Sequence, residues 1–453
     1  MAMIGEAVGR PAAAAHGRVR RRRIWLSYAT AGISKSAAAI VQLSALPIVA
    51  FTLGAERFGA LLVLGAVGAV ACLPARAIVP AASIGIARAR GRGDLAAARA
   101  EAWSACLLSI ALGIAAMLAV AGAAFVLDPS VLFGRASPDL LDEARGGIAA
   151  ILLLIFATYF LAWVEGVRTG YEENHLNNLF SLIGSAAALA GIGLAWAFSP
   201  NIPAFFVATY VLYPLVQGVN LAFLPRERWS GPDRRPLDRQ TAAGTMRRAL
   251  GWSVAQGGVA LHLQGSIYLA AQAFGLSAGA LVGGMVRLFQ ILHGFLLALL
   301  NPVLPTLSHA AASGDRAWLF EAGRRTAVFI LGGLSLIGIA IAVGGGAVMK
   351  HWLGLAPADD ALLFAAFGAM AAFHMGAQLY YLMLLALGDG RRPSQHLLVA
   401  GLGGLGAGLV AMQDLGLAGL LWAQAAAMLV IGFAPIALRL AARLGSWGGA
   451  APR

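Results

Sequence analysis

The chain is 453 residues long, 60% hydrophobic and only 12% charged, against about 25% charged in an ordinary soluble domain. A mean hydropathy of +0.78 leaves too little polar surface to keep it in water, so apolar surface must face lipid and a soluble enzyme is excluded. The formal net charge of +13 does not point to nucleic acid, because the cations, nearly all Arg, sit in short segments between apolar runs, as topology signals do.

Arg18–Arg23 open the first feature, followed by an apolar run from Ile24 to Leu53. That run is too long for the core of a signal peptide and has no plausible cleavage site, so it reads as a retained transmembrane helix. An apolar run of about 20 residues crosses the hydrocarbon core as a helix. Such spans are predicted over 28–53, 59–86, 103–127, 147–167, 178–198 and 203–224. After a polar interval they resume over 249–274, 279–307, 326–347, 361–386, 396–412 and 417–438. The expected organisation is a basic N-terminal segment (1–27), a first lobe (28–224), a linker (225–248) holding Pro225, Pro232 and Pro236, a second lobe (249–438) and a tail (439–453). With the N-terminus in the cytoplasm, Arg88, Arg90, Arg92, Arg99, Arg168, the Arg226–Arg248 stretch, Arg316, Arg324, Arg325, Arg391, Arg392, Arg439 and Arg443 all fall on that side. Arg57, Arg135, Arg145 and Lys350 remain opposite, and an even helix count puts both termini inside.

The chain repeats itself at an offset of about 220 residues. Leu53-Gly54, Gly59-Ala60-Leu61 and Arg92-Gly93-Asp94 are answered by Phe274-Gly275, Gly279-Ala280-Leu281 and Ser313-Gly314-Asp315. Thr169-Gly170-Tyr171-Glu172 and Leu387-Gly388-Asp389-Gly390 occupy matching loops. A repeat of six helices restores the starting side, so the halves have parallel topology about an axis along the membrane normal. The fold class expected is an all-α membrane protein of about 12 helices in two six-helix lobes. In such an architecture the substrate site lies between the lobes near the midplane.

These residues resemble a known family. Gln42-Leu43-Ser44-Ala45-Leu46-Pro47, Leu53-Gly54-Ala55-Glu56-Arg57-Phe58-Gly59 and Gly91-Arg92-Gly93-Asp94 look like the opening of the bacterial polysaccharide flippases of the Wzx type. Gln264, Gly275, Gly279, Arg287, Pro302, Pro305, Ser308 and Ser313-Gly314-Asp315 continue the likeness through the second half. These flippases belong to the multidrug/oligosaccharidyl-lipid/polysaccharide (MOP) exporter superfamily. The resemblance implies a MATE-like architecture in a bacterial inner membrane. It also implies transfer of a polyprenyl-pyrophosphate-linked oligosaccharide from the cytoplasmic to the outer leaflet, beside a glycan polymerase and glycosyltransferases as partners. Relatives often carry an acidic residue just after the glutamine of the seventh helix, where this chain has Gly265-Ser266-Ile267. The identity of any coupling ion is therefore left open.

An ionisable residue inside a span is costly and faces a cavity or a partner. Arg76, between Pro74 and Pro80, and Arg287, in the eighth span, are the first candidates for the substrate site. Lys35 either snorkels to the interface or joins them. Glu165 lies three residues before Arg168, a spacing that predicts a surface pair on one helix face. With that pair set aside and no Asp deep in any span, the interior is cationic, which suits a pyrophosphate because Arg presents fixed forks of donors to phosphate oxygens. Gln42, His262, Gln264, His374 and Gln378 are candidates for holding the glycan, and each could equally bond a neighbouring helix. His374 and Gln378 share a helix face; His262 and Gln264 do not.

Other motifs are discounted. Cys72 and Cys106 lack ligand or redox spacing and read as small apolar helix residues. Gly401, Gly403 and Gly406 match a dinucleotide fingerprint but lie in an apolar helix, where small residues serve close packing. There is no Walker A sequence, zinc signature or G-x-S-x-G elbow. No catalytic residue, metal site or cofactor is expected, and the chain is read as a transporter and not an enzyme. The competing readings are a cation-coupled multidrug exporter of the same superfamily, and a scaffold or enzyme of the same glycan pathway.

Overall fold

The computed structural model describes residues 9–128, 130–134, 136–230, 239–300, 307, 311, 315–355 and 361–448. The side chains of Arg18–Arg23, and Arg135, Pro232, Pro236, Pro302, Pro305, Ser308, Ser313 and Gly314, lie outside that description. The described residues are helical with no strand. Helix α1 (Gly9–Ala71) contains a break at Gly54, whose φ of 74° only glycine adopts without strain. α2 (Leu73–Gly91) continues its second part after a turn at Cys72. α3 (Leu95–Val126), the short α4 (Ser130–Phe133), α5 (Pro138–Leu161), α6 (Trp163–Gly170) and α7 (Asn174–Phe198) follow. α8 (Ile202–Phe206), a π-helical turn (Val207–Val211) and α9 (Leu212–Ala222) together form one span. The second half comprises α10 (Arg239–Phe274), α11 (Leu276–Leu300), α12 (Arg316–Leu353), α13 (Ala361–Ala386), α14 (Arg391–Ala427) and, after a π-helical turn (Met428–Phe433), α15 (Ala434–Gly448).

Among the described residues, nine helical stretches are long and apolar enough to cross a membrane. Two of them contain a backbone break, at Gly54 and at Gly416 (φ 62°), and so count as two spans each. α10 adds another: its 36 residues reach about 54 Å, although its polar face lowers its hydropathy. The twelve spans expected from hydropathy are thereby recovered.

The internal repeat is visible in three dimensions. Gly54 and Gly275, with φ of 74° and 89°, break the chain at equivalent points. Asp94 caps α3 by accepting from the Ala97 N–H at 2.8 Å, and Asp315 caps α12 by accepting from the Trp318 N–H at 3.2 Å. Each half also places its π-helical turn in its sixth span. In each half an acidic residue of the matching loop is tied to the end of that sixth span. Glu173 accepts from Arg228, and Asp389 accepts two bonds from Arg439 at 2.6 and 2.8 Å.

Within the first half α2 packs on α3 and α6, and α1 on α7; within the second, α10 packs on α14 and α12 on α13. The α10–α14 contact is a glycine approach: a Cβ on Gly258 would lie 2.2 Å from the Leu397 carbonyl oxygen, and one on Gly401 2.4 Å from that of Gly258. Gly401, from the discounted fingerprint, thus serves helix packing. The halves meet where α1 and α2 pack on α10 and α11. Gly59 of α1 is so close to α11 that a Cβ there would fall on the Leu276 carbonyl.

Candidate functional site

The site grows from the broken second span. Pro74, in the first turn of α2, has no N–H to donate. The backbone is completed from elsewhere: the Tyr159 hydroxyl of α5 donates to the Ala71 carbonyl at 2.8 Å. Arg76 is therefore not consumed as a carbonyl cap, and its side chain is exposed. Lys35 on α1 is exposed as well. Both cations act on the carboxylate of Glu165 on α6, which accepts a bond from Gln217 Nε2 of α9 at 2.8 Å. Tyr213, also on α9, has Glu165 and Arg76 as charged neighbours and bonds Ser181 of α7 through its hydroxyl at 2.9 Å.

One turn before Tyr213, in the π-helical turn, lies Tyr210. Arg287 of α11 donates to its hydroxyl, with the guanidinium 5.1 Å from the ring centroid. Its other arm donates to Gln290 Oε1 at 3.2 Å. Gly65 of α1 makes room, since a Cβ there would lie 2.5 Å from the Tyr210 hydroxyl. Tyr210 and Tyr213 thus join two cation groups: Arg287 from the second half, and Lys35 and Arg76 from the first. Lys35 and Arg76 surround one carboxylate, Glu165, and Arg287 meets the neighbouring turn of the same span at Tyr210.

The surface pair expected between Glu165 and Arg168 is not formed. Arg168 is 1% exposed and turns away to donate to Asn220 Oδ1, to the Asn220 carbonyl at 3.1 Å and to Glu173 at 3.1 Å. The spacing put both on one helix but did not reveal that Asn220 and Glu173 offer Arg168 three buried acceptors. Glu165 is thereby left to Gln217, Lys35 and Arg76, so the first half does carry a carboxylate beside its cations. Of the other candidates, Gln42 is exposed on α1. His262, Gln264, His374 and Gln378 are buried in the second half at 0, 8, 1 and 9% exposure. Sequence reasoning missed Tyr210 and Tyr213, because an aromatic in an apolar span carries no signal of its own. Among the described residues no group of three or more His, Cys, Asp or Glu is placed to hold a metal.

At the Arg-rich end of the bundle the halves are tied by a polar clasp. Glu101 of α3 accepts from Arg248 and from Thr245 of α10, each at 2.7 Å. Arg248 also donates to the Ala81 carbonyl of α2 at 3.1 Å. At the opposite end, Tyr268 and Gln272 of α10 donate to the Val131 carbonyl of α4 at 2.7 and 2.8 Å.

This arrangement of helices is found in solved transporters. An inward-facing multidrug-resistance MATE transporter of the MOP superfamily superposes with a TM-score of 0.72 at 16% identity, covering 92% of this chain and 96% of that one. The chain has the MATE transporter fold. An outward-facing MATE transporter gives 0.65 at 16% identity, covering 95% and 97%. A MOP superfamily transporter from Pyrococcus furiosus, whose reversed binding-pocket polarity suggests a different function for it, gives 0.68 at 16% identity, covering 93% and 96%. No family model matches the sequence, and no curated protein matches it.

Proposed function

We propose that the chain is an exporter of lipid-linked oligosaccharide, moving a polyprenyl-pyrophosphate glycan from the cytoplasmic to the outer leaflet of a bacterial inner membrane by alternating access. The observation that carries this reading is a cation excess along one span: Lys35 and Arg76 around Glu165, and Arg287 one turn away at Tyr210. Such a site favours an anion, and guanidinium forks match phosphate oxygens. Gln42, Gln290 and the hydroxyls of Ser181 and Tyr213 supply bonds of the kind sugar hydroxyls take. The Arg-rich end is the cytoplasmic end by the positive-inside rule, and both termini lie there. A glycan polymerase and glycosyltransferases are the natural neighbours of such a protein.

The working cycle follows from the contacts. The lobes separate at one end while held at the other. Opening at the cytoplasmic end requires release of the Glu101–Arg248 clasp; opening outward requires release of Tyr268 and Gln272 from α4. Glu165 favours a second reading, a cation-coupled multidrug exporter, because a carboxylate in the cleft can carry an ion or receive a cationic drug.

The test is mass spectrometry of lipid-linked oligosaccharides in cells lacking the gene, complemented with wild type or with Arg76→Ala. The flippase reading expects a complete repeat unit to accumulate in the deletion strain, to clear with wild type and to persist with R76A at equal membrane abundance. An unchanged lipid pool with glycan polymer still made would remove it. Gradient-dependent drug efflux that Glu165→Gln abolishes would establish the multidrug reading instead.

A further inference from the structure

The interior of the second half holds a polar group that packing alone does not explain. His262 on α10 and His374 on α13 are 0 and 1% exposed. Their rings stack with centroids 5.0 Å apart and planes 27° from parallel. All four ring nitrogens lack a hydrogen-bond partner among the described residues. A neutral imidazole carries one donor and one acceptor, and buried groups of this kind are ordinarily paired. Two amides nearby each have an unpartnered atom. Gln424 of α14 accepts from Ser266 at 2.6 Å while its Nε2 has no partner, and Gln378, one turn beyond His374, has an unpartnered Oε1. His293 of α11 continues the set. Its ring stacks on Phe289 at 5.7 Å, and Phe289 meets His374 edge-on at 5.3 Å. A chain of ring contacts therefore runs from α11, the helix that carries Arg287, through α13 to α10.

Stacked, nearly parallel rings direct their lone pairs side by side and not onto one point, so the pair is not built to chelate a metal ion. A proton needs only one nitrogen. We propose that His262 and His374 form a proton-binding site whose occupancy selects between two arrangements of the lobes. The proton comes from water to the acceptor nitrogen of one imidazole, and the stacked partner stays neutral because two imidazolium rings at this separation would repel. An imidazolium has two N–H donors, and the enclosed pair offers it little beyond Gln378 Oε1. The arrangement seen is thus the proton-free one, and protons favour an arrangement that opens the pair to water or turns Gln378 and Gln424 toward it. The further titratable group acting on His374 is His293 from α11; on His262 burial acts alone. Arg287 on α11 is engaged by Tyr210 and Gln290, and α14 contributes the uncharged Gln424. The proposal rests on the two-lobe transporter reading for the motion it drives, but not on any choice of substrate.

The experiment uses the full chain in lipid nanodiscs, with Cys72 and Cys106 replaced by Ala and spin labels at Ala87→Cys on α2 and Gln395→Cys on α14. Distances between the labels are measured across roughly pH 5 to 8, the range in which imidazole changes charge. Two distance populations are expected, with their ratio changing about tenfold or more as the pH falls. The change should vanish in H262Q/H374Q and persist in H351Q, a surface control. Nitrogen-15 NMR of labelled histidines in the wild type provides a reading that needs no folded variant: two imidazoles should share one titration step. Distances insensitive to pH in wild type, a response surviving in the double variant, or two imidazoles neutral throughout the range would each overturn the proposal. Failure of the oligosaccharide reading would leave all three measurements unchanged.

Discussion

Arg168→Met tests the account of the first lobe. Arg168 is almost fully enclosed and holds three acceptors, Asn220 Oδ1, the Asn220 carbonyl and Glu173. Methionine keeps the stem volume but none of the donors. Removing one partner of a buried pair ordinarily costs about 3–5 kcal/mol, because the other is left without compensation. Glu173 keeps its bond to Arg228, which blunts that loss, while two buried acceptors on Asn220 lose their donor. The net cost should be near the lower figure, about 3 kcal/mol, or roughly a hundredfold in the folding equilibrium. The assay is thermal unfolding in detergent, followed by fluorescence-detected size exclusion. R168M should lower the midpoint by several degrees, whereas Arg145→Ala, which removes an exposed pair with Asp142, should leave it in place. Equal midpoints for R168M and wild type would refute the buried-network reading and restore the surface pairing with Glu165.

Three further outcomes follow from named contacts. Hydrogen bonds from Arg439, with the charges of Arg439, Arg443 and Arg392 behind them, hold the Asp389 carboxyl below its usual range. A carboxyl lowered in the folded state stabilises above its unfolded pKa of about 3.9, and that contribution fades as pH falls through the lower folded value. The stability gap between wild type and Asp389→Asn should therefore be full at neutral pH and shrink below about pH 4 in thermal scans. Gly258→Val puts a side chain into the Leu397 carbonyl and should abolish monodisperse protein in size exclusion, while Gly406→Ala, which meets nothing, should be neutral. Glu101→Gln weakens the clasp with Arg248 and should raise the labelling rate of a cysteine placed at Ala249, buried beside Arg248, from the Arg-rich end.

The fold was legible because it rests on signals that act locally and recur. Apolar runs set the spans, and Gly54, Gly275, Asp94 and Asp315 mark a break and a cap that any sequence reader can locate. Arg76, Arg287 and Lys35 were singled out as candidates because a charge in an apolar run stands out. Glu165 was not placed, because its partners come from α1, α2 and α9, far along the chain, while the nearer Arg168 offered a local explanation that the structure does not use. Tyr210 and Tyr213 were invisible for a different reason. Their role comes from the π-helical turn and from Gly65 opposite, and neither is encoded in hydropathy.

The repeat itself separates scaffold from chemistry. Residues that agree between the halves cap helices, break them or tie the loop acid to the sixth span. Residues in the cleft disagree. At the repeat offset of about 220 residues, Arg76 corresponds to Leu296 or Leu297, and Arg287 to Ala66 or Val67. The positions corresponding to Glu165, from Leu382 to Ala386, are apolar throughout. A symmetric pair of lobes needs only symmetric residues to fold, so charges placed on one side of the axis cost burial energy without serving the scaffold. Charges that the scaffold does not require are the ones the proposed anion site would use. The same reasoning applies inside the second lobe. His374 corresponds to Leu153 or Leu154 of α5, apolar positions that build the same helical framework with no imidazole, so the framework does not require the ring that His262 stacks upon.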